Sequence, residues 1–208
     1  MCVQGGEIVT GKMNRRRFIL SFITGVLFAG LYPLLNWIPV SVTARLKKYL
    51  RPPGAKSEAD FLKKCIGCGQ CAAICPNKCI TLSGLENGVQ SLGTPKIIPK
   101  KKACILCMAC TNICPTGALS PLKANSQSIA QVAMGKAFLS KDTCFSYAGR
   151  TCGVCYHACP LPGKALTLGL FERPTVNRDY CVGCGLCEYA CIHMPQAIRV
   201  VPSKHLQT

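Results

Sequence analysis

Sixteen of the eighteen cysteines in this 208-residue chain fall into four groups of four, and no other feature restricts the possible folds as much. The groups are Cys65, Cys68, Cys71 and Cys75; Cys104, Cys107, Cys110 and Cys114; Cys144, Cys152, Cys155 and Cys159; and Cys181, Cys184, Cys187 and Cys191. Three of them follow CxxCxxCxxxC, and the third widens only its first gap. This is the spacing with which thiolates grip a cubane iron–sulfur cluster. The expectation is four 4Fe-4S clusters with four thiolates each, in a chain that carries electrons.

Two residues between successive cysteines let a tight loop wrap one corner of a cube. Three thiolates then point inward, and the intervening amides face the cluster's sulfurs. Gly67 and Gly69 in the first loop, and Gly183 and Gly185 in the fourth, suit such a loop because glycine tolerates positive φ. The fourth cysteine of each group sits on the helical stretch that follows and reaches away, so it is expected to ligate the partner cluster of a two-cluster unit. Pro76, Pro115 and Pro160 then turn the chain out.

Zinc sites use two CxxC pairs, often with histidine, and leave the triple spacing unexplained. Disulfides are the default for an exported cysteine-rich chain, but cysteines two residues apart bridge poorly and the repeat would be coincidental. Two cysteines remain. Cys79 aligns with Ala118, Ala165 and Ala197, where a small residue opens a strand after each group, and reads as a buried apolar stand-in for alanine. Cys2 precedes Met13, whose surroundings resemble a natural start.

Short strands are predicted at Ile80–Leu82, Lys96–Ile98, Lys136–Leu139, Ala165–Leu168, Thr175–Asn177 and Ala197–Val201, with a helix over Glu58–Lys64. Strand, cysteine turn and short helix, repeated, predict an α+β fold: a duplicated bacterial-type 2x[4Fe-4S] ferredoxin-like domain. The divisions are an N-terminal signal or anchor helix in residues 1–44, a linker and short helix in 45–64 that includes the stiff Arg51-Pro52-Pro53-Gly54-Ala55, a four-cluster domain in 65–201, and a tail in 202–208. Its motifs occupy 65–75, 104–114, 144–159 and 181–191. At roughly 80 residues per unit, metal ligation rather than apolar burial must supply much of the stability. The groups can pair as neighbours or nest, first with fourth and second with third. The small residue follows the last cysteine at the fourth position in groups one and two, and at the sixth in groups three and four; nesting would join one short and one long arm in each unit.

Residues 14–19, Asn-Arg-Arg-Arg-Phe-Ile, begin an apolar run to Val42 and resemble a twin-arginine export signal, which serves proteins that fold with their cofactor before crossing a membrane. Residues 18–42 are also long enough to span a bilayer if retained. Val42-Thr43-Ala44 is a weak cleavage site, while Arg45, Lys47, Lys48, Trp37 and Tyr32 are what an anchor would show. An ordinary signal anchor is the alternative. The preferred placement is periplasmic, on the outer side of a bacterial cytoplasmic membrane.

The formal charge is +17. Four oxidised clusters with their thiolates would bring the holoprotein to roughly +9. Lys63, Lys64, Lys100, Lys101, Lys102 and Lys123 can offset cluster charge while staying solvated, and a basic face can dock an acidic redox partner. No motif for reading nucleic acid accompanies the charge. With eight carboxylates and three histidines, and with His157 and His193 inside cluster loops, no catalytic residue is expected. Neither a nucleotide loop nor a flavin fingerprint is present.

The arginine-rich start, the Arg-Pro-Pro-Gly-Ala stretch followed by Glu58, Phe61 and Leu62, and the widened third group resemble the ferredoxin-type NapG/MauM proteins. The resemblance runs from Asn14 to Val201, with Ile192 standing where proline usually follows the last cysteine. It implies a carrier between a membrane quinol dehydrogenase and a periplasmic c-type cytochrome or reductase. It also implies kinship with the four-cluster subunits of molybdoenzymes, and hence nested pairing. An integral iron–sulfur subunit of a membrane oxidoreductase and a redox maturation factor are the other function classes.

Overall fold

The computed structural model describes residues 49–85 and 88–203. The expected leader and anchor, Cys2, Met13 and residues 204–208 lie outside the described residues. Among those described, no helix is long and apolar enough to cross a membrane.

The second half of the chain shows the design most plainly. Strand β3 (Gly135–Leu139) leads into the third cysteine group and helix α5 (Val154–His157). Strands β4 (Leu166–Leu168) and β5 (Pro174–Val176) form a hairpin, and the fourth group and helix α6 (Leu186–Ala190) follow before β6 (Ile198–Pro202). β3 and β6 pair antiparallel from Gly135↔Pro202 to Leu139↔Ile198, and β4 pairs with β5 from Leu166↔Val176 to Leu168↔Pro174. The outer ladder continues past both ends, through Ser140 N–H to the Ala197 carbonyl at 2.8 Å and Ser203 N–H to that of Met134 at 3.1 Å. Each helix therefore lies between an outer and an inner strand, as in a ferredoxin-like βαββαβ unit.

The first half repeats this plan with a different outer pair. Its inner hairpin is β1 (Ile80–Leu82) with β2 (Pro95–Ile97), in register from Ile80↔Ile97 to Leu82↔Pro95. Helices α2 (Gln70–Ala73) and α3 (Ala109–Asn112) follow the first and second cysteine loops. In place of a five-residue outer ladder there is one bridge, Ala55↔Leu119, backed by Ser120 N–H to the Gly54 carbonyl at 2.7 Å. The chain is diverted there by helix α1, Glu58–Lys64, as expected from its sequence. Ser57 Oγ caps it by accepting from Asp60 N–H at 3.3 Å, with Glu58 and Asp60 in the first turn and Lys63 and Lys64 in the last, matching the helix dipole.

Arg51-Pro52-Pro53 is not a linker. All three residues are fully buried, and Leu50 bridges Ile97. The Arg51 guanidinium donates to Glu58, to Thr94 Oγ1 at 2.9 Å and to the Pro95 carbonyl at 2.7 Å, and lies 4.8 Å from the centre of the Phe61 ring. The charge is thus buried with every face used, which fastens α1 to β2.

Other expectations shift by a residue. β2 begins at Pro95, β4 at Leu166, β5 at Pro174 and β6 at Ile198. Helix α4 (Ser126–Gln131), capped by Asn125 Oδ1 on Ser128 N–H at 2.8 Å, carries the chain between the halves.

Candidate metal centre

The cysteines assemble into four sets, each built from three thiols of one loop and one from its neighbour. Cys65, Cys68 and Cys71 share a cavity with Cys114, here site I. Cys144, Cys152 and Cys155 share one with Cys191, site III. Cys181, Cys184 and Cys187 share one with Cys159, site IV. At site II the Cys110 thiol is pushed up to about 12 by burial first and then by Cys107, Cys71 and Cys75, and Cys75 Sγ lies 3.6 Å from Cys79 Sγ, which brings it to the second loop. Cys104 completes that set through Cys79, which contacts both Cys104 and Cys75.

This corrects the expected nesting. The first group exchanges its last cysteine with the second, and the third with the fourth. Arms of equal length are paired: the four-residue arms close the first repeat and the six-residue arms the second. The cause is topological, because β1–β2 and β4–β5 each join successive groups as an antiparallel pair, while β3–β6 closes the second repeat on itself.

Loop geometry follows from the residue between the cysteines. Gly67 and Gly69 (φ +67° and +73°) and Gly183 and Gly185 (φ +74° and +84°) adopt the left-handed conformation that the sequence predicts. In the second loop the same positions are Leu106 and Met108, at φ +61° and +59° and almost fully buried. A left-handed non-glycine residue costs about 1–2 kcal/mol, which burying these two side chains offsets. The fourth loop needs glycine for a second reason. A Cβ on Gly183 would lie 2.3 Å from the Gly135 nitrogen.

The thiols themselves are shaped by burial and by one another. Burial raises Cys71, Cys155 and Cys184 to about 11, with neighbouring cysteines adding to each. Cys187 rises through burial and then through Cys184, Cys181, Cys159 and Cys155. Cys65 is raised by burial, against the opposing pull of the Gly67 amide and Arg51. Cys114 goes the other way. Burial pushes it up, but the amides of Leu119, Thr116 and Ala118 and the Thr116 hydroxyl together bring its thiol below the usual range. Backbone N–H groups also reach sulfur at Leu106 to Cys104 and at Ala137 to Cys181, both 3.4 Å.

Four thiols gathered in one set, at least one of them buried in each, repel as thiolates and need a cation core to coexist. The thiols stand around each cavity instead of closing on one point. Among the described residues, no three Cys, His, Asp or Glu side chains converge as a single ion would require. The remaining lining is mostly apolar or backbone, including Leu166 and Val200 at site IV and Phe61 and Leu119 at site I, with Gln70 and Thr116 added at site I and Ser146 and His193 at site III. Donor set and spacing fit a 4Fe-4S cube, whose irons each take one thiolate.

The sets lie in a row. Cys71 neighbours Cys110, linking sites I and II, and Cys155 neighbours Cys187, linking III and IV. The repeats meet where Cys104 N–H donates to the Cys184 carbonyl at 2.9 Å and Met134 N–H to that of Val182 at 3.2 Å. Site II therefore abuts site IV.

His193 lines site III with Nδ1 2.8 Å from the Pro195 carbonyl oxygen, its ring edge-on to Phe145; His157 is exposed. The six lysines named above are all exposed. Sequence reasoning missed the buried role of Arg51, the left-handed Leu106 and Met108, and the contacts of Cys79. Arg51 leaves a signal in retrospect, since a lone arginine before two prolines and seven residues from Glu58 has a carboxylate in reach.

A doubled βαββαβ fold with such cysteine sets defines a ferredoxin-type iron–sulfur protein. Residues 64–118 and 103–162 match the 4Fe-4S dicluster domain family, and 174–193 match the 4Fe-4S binding domain family. The two dicluster matches overlap on the second group, because their spacing suits any two successive groups; the cavities decide which groups pair. The chain is 38% identical to the methylamine utilization ferredoxin-type protein MauM of Methylophilus methylotrophus over 76% of its own length and 73% of the relative's. It is also 38% identical to the ferredoxin-type protein NapG of Escherichia coli, over 74% and 70%. With NapG of Haemophilus influenzae the figures are 37% identity over 91% and 72%. The chain belongs to the NapG/MauM family of ferredoxin-type electron-transfer proteins.

Proposed function

We propose that the chain holds four 4Fe-4S clusters through the sixteen grouped cysteines and passes electrons from a membrane quinol dehydrogenase to a periplasmic c-type cytochrome or reductase. The observation that carries this reading is the fourfold recurrence of a thiol set shared between two successive loops. Each cluster, when bound, supplies reversible one-electron chemistry. The chain's own part is to hold and insulate. Burial excludes water from Cys71, Cys110, Cys184 and Cys187, amides on Cys104, Cys114 and Cys181 offer hydrogen bonds to sulfur, and the Cys104–Cys184 backbone bond keeps the two repeats in contact.

The arginine-rich leader at 14–19 supports export of the folded protein by the twin-arginine route, and the apolar stretch 18–42 supports membrane attachment on the periplasmic side. The exposed lysines support docking of an acidic redox partner. Anaerobically isolated protein is expected to contain about sixteen iron atoms and as many sulfides per chain. Four distinct midpoint potentials should appear in a redox titration followed by electron paramagnetic resonance. Far less iron would refute the cluster assignment. Crosslinking in intact membranes identifies the donor: a stoichiometric integral subunit retained through purification would replace the diffusible carrier with a fixed subunit. Loss of a periplasmic enzyme's activity with its cofactor absent would favour a maturation role.

A further inference from the structure

Among the described residues, site II contains a fifth thiol that the other three sites lack. The residue opening the strand after each cysteine group is equally buried at all four positions: Cys79 at 4%, Ala118 at 2%, Ala165 at 4% and Ala197 at 3% exposure. Ala118 lines site I, Ala165 site IV and Ala197 site III. Cys79 takes the corresponding place at site II, so a position that is apolar elsewhere carries a sulfur there. That sulfur lies 3.6 Å from Cys75 Sγ and within hydrogen-bonding contact of the Cys104 side chain. It therefore stands between two thiols that come from different loops. Packing alone would be served by alanine, as it is at the other three sites.

We propose that Cys79 is a positioning residue for site II: its one S–H, held between Cys75 and Cys104, donates to a cysteine sulfur of that set, drawing charge from it and raising the reduction potential of the cluster held there relative to an alanine at the same place. The physical basis is that hydrogen bonds to ligand sulfur stabilise the more negative, reduced state. Site II also shields the donor from water. Leu106 and Met108 close its loop with buried side chains, and Cys75 and Cys104 are themselves buried, so little water competes for those sulfurs. Cys79 would thus set the potential at the step next to the junction between the repeats.

This rests on the reading of site II as a cluster site. The test compares parent, Cys79→Ala and Cys79→Ser holoproteins, purified anaerobically, by iron and sulfide content and by redox titration followed with electron paramagnetic resonance. With Cys79→Ala, iron and sulfide stay at the parent's level and one midpoint potential falls while the other three are unmoved. With Cys79→Ser, whose hydroxyl restores a donor, that potential returns toward the parent's value. Unchanged potentials in Cys79→Ala at full iron content overturn the proposal and leave the cluster reading intact. Loss of one cluster's iron from both variants also overturns it, since Cys79 would then be a ligand or an essential packing group. A parent protein that itself lacks a fourth cluster brings down the proposal and the reading of site II together.

Discussion

The first repeat, Leu50 to Ser120, and the second, Gly135 to Ser203, share one topology and stabilise it differently. In the first, the outer strands have shrunk to the Ala55↔Leu119 bridge, and the fold rests on an apolar core. Leu50, Phe61, Ile80, Ile97, Leu106, Met108 and Leu119 are all buried there, around an Arg51 that is itself completely enclosed. In the second, Ala137, Leu166, Cys187 and Ile198 form a smaller cluster of their own, Val182 and Cys184 pack into the first repeat's core, and a five-residue β3–β6 ladder ties the ends together. A two-stranded pair is marginal alone in water, so the second repeat depends more heavily on its metal. One duplicated plan can therefore be kept by packing on one side and by ligation on the other.

Iron removal should break the symmetry most. On chelation the whole domain is expected to lose cooperative structure, and the amides of β3 and β6 should lose hydrogen-exchange protection before those of β1 and β2. Simultaneous loss in both repeats, or the reverse order, would contradict the contrast. Next comes Arg51→Ala, which strands Glu58 and empties the donors to Thr94 and Pro95. It should cost about 3–5 kcal/mol in denaturant unfolding of the first repeat. The absorbance of the second repeat's clusters should persist beyond that transition.

Two glycines sharpen the comparison further. Gly67→Ala and Gly183→Ala both force alanine into positive φ, at about 1–2 kcal/mol. A Cβ at Gly67 meets the Gly93 carbonyl at 3.3 Å, whereas at Gly183 it meets the Gly135 backbone at 2.3 Å. The second substitution should therefore cost more, about 3 kcal/mol. It should also disturb the Met134–Val182 bond between repeats, readable as faster exchange of the Met134 amide. The smallest effect tests sign. Leu106→Gly should be more stable than Leu106→Ala by about 1 kcal/mol, because glycine alone relieves the left-handed strain. The usual order, alanine above glycine, would show that Leu106 is not strained.

Much of this was readable before any coordinates. The four cysteine groups, the outward reach of the last cysteine, the glycine loops and the helix from Glu58 to Lys64 follow from spacing and local chemistry, and each strand lay within about a residue or two of its predicted place. Pairing was not readable. The motif spacing is the same whichever neighbour receives the fourth thiol, and the resemblance pointed to nesting, which the shared cavities replace with neighbour pairing. Arg51-Pro52-Pro53 looked like a linker because prolines punctuate linkers, yet its role depends on Thr94 and Pro95, more than forty residues away.

Cys79 marks the same boundary within a single residue. Its burial was evident from its alignment with three alanines, but its company was not, since Cys104 approaches it only once β1 and β2 have paired. The order of residues by itself determined which thiols belong to one loop and how each loop turns, because those are matters of a few adjacent dihedrals. Which loop lends its last thiol to which, and where the repeats touch, were decided only by the closing of strands distant in the chain, because those contacts depend on packing that no local spacing encodes.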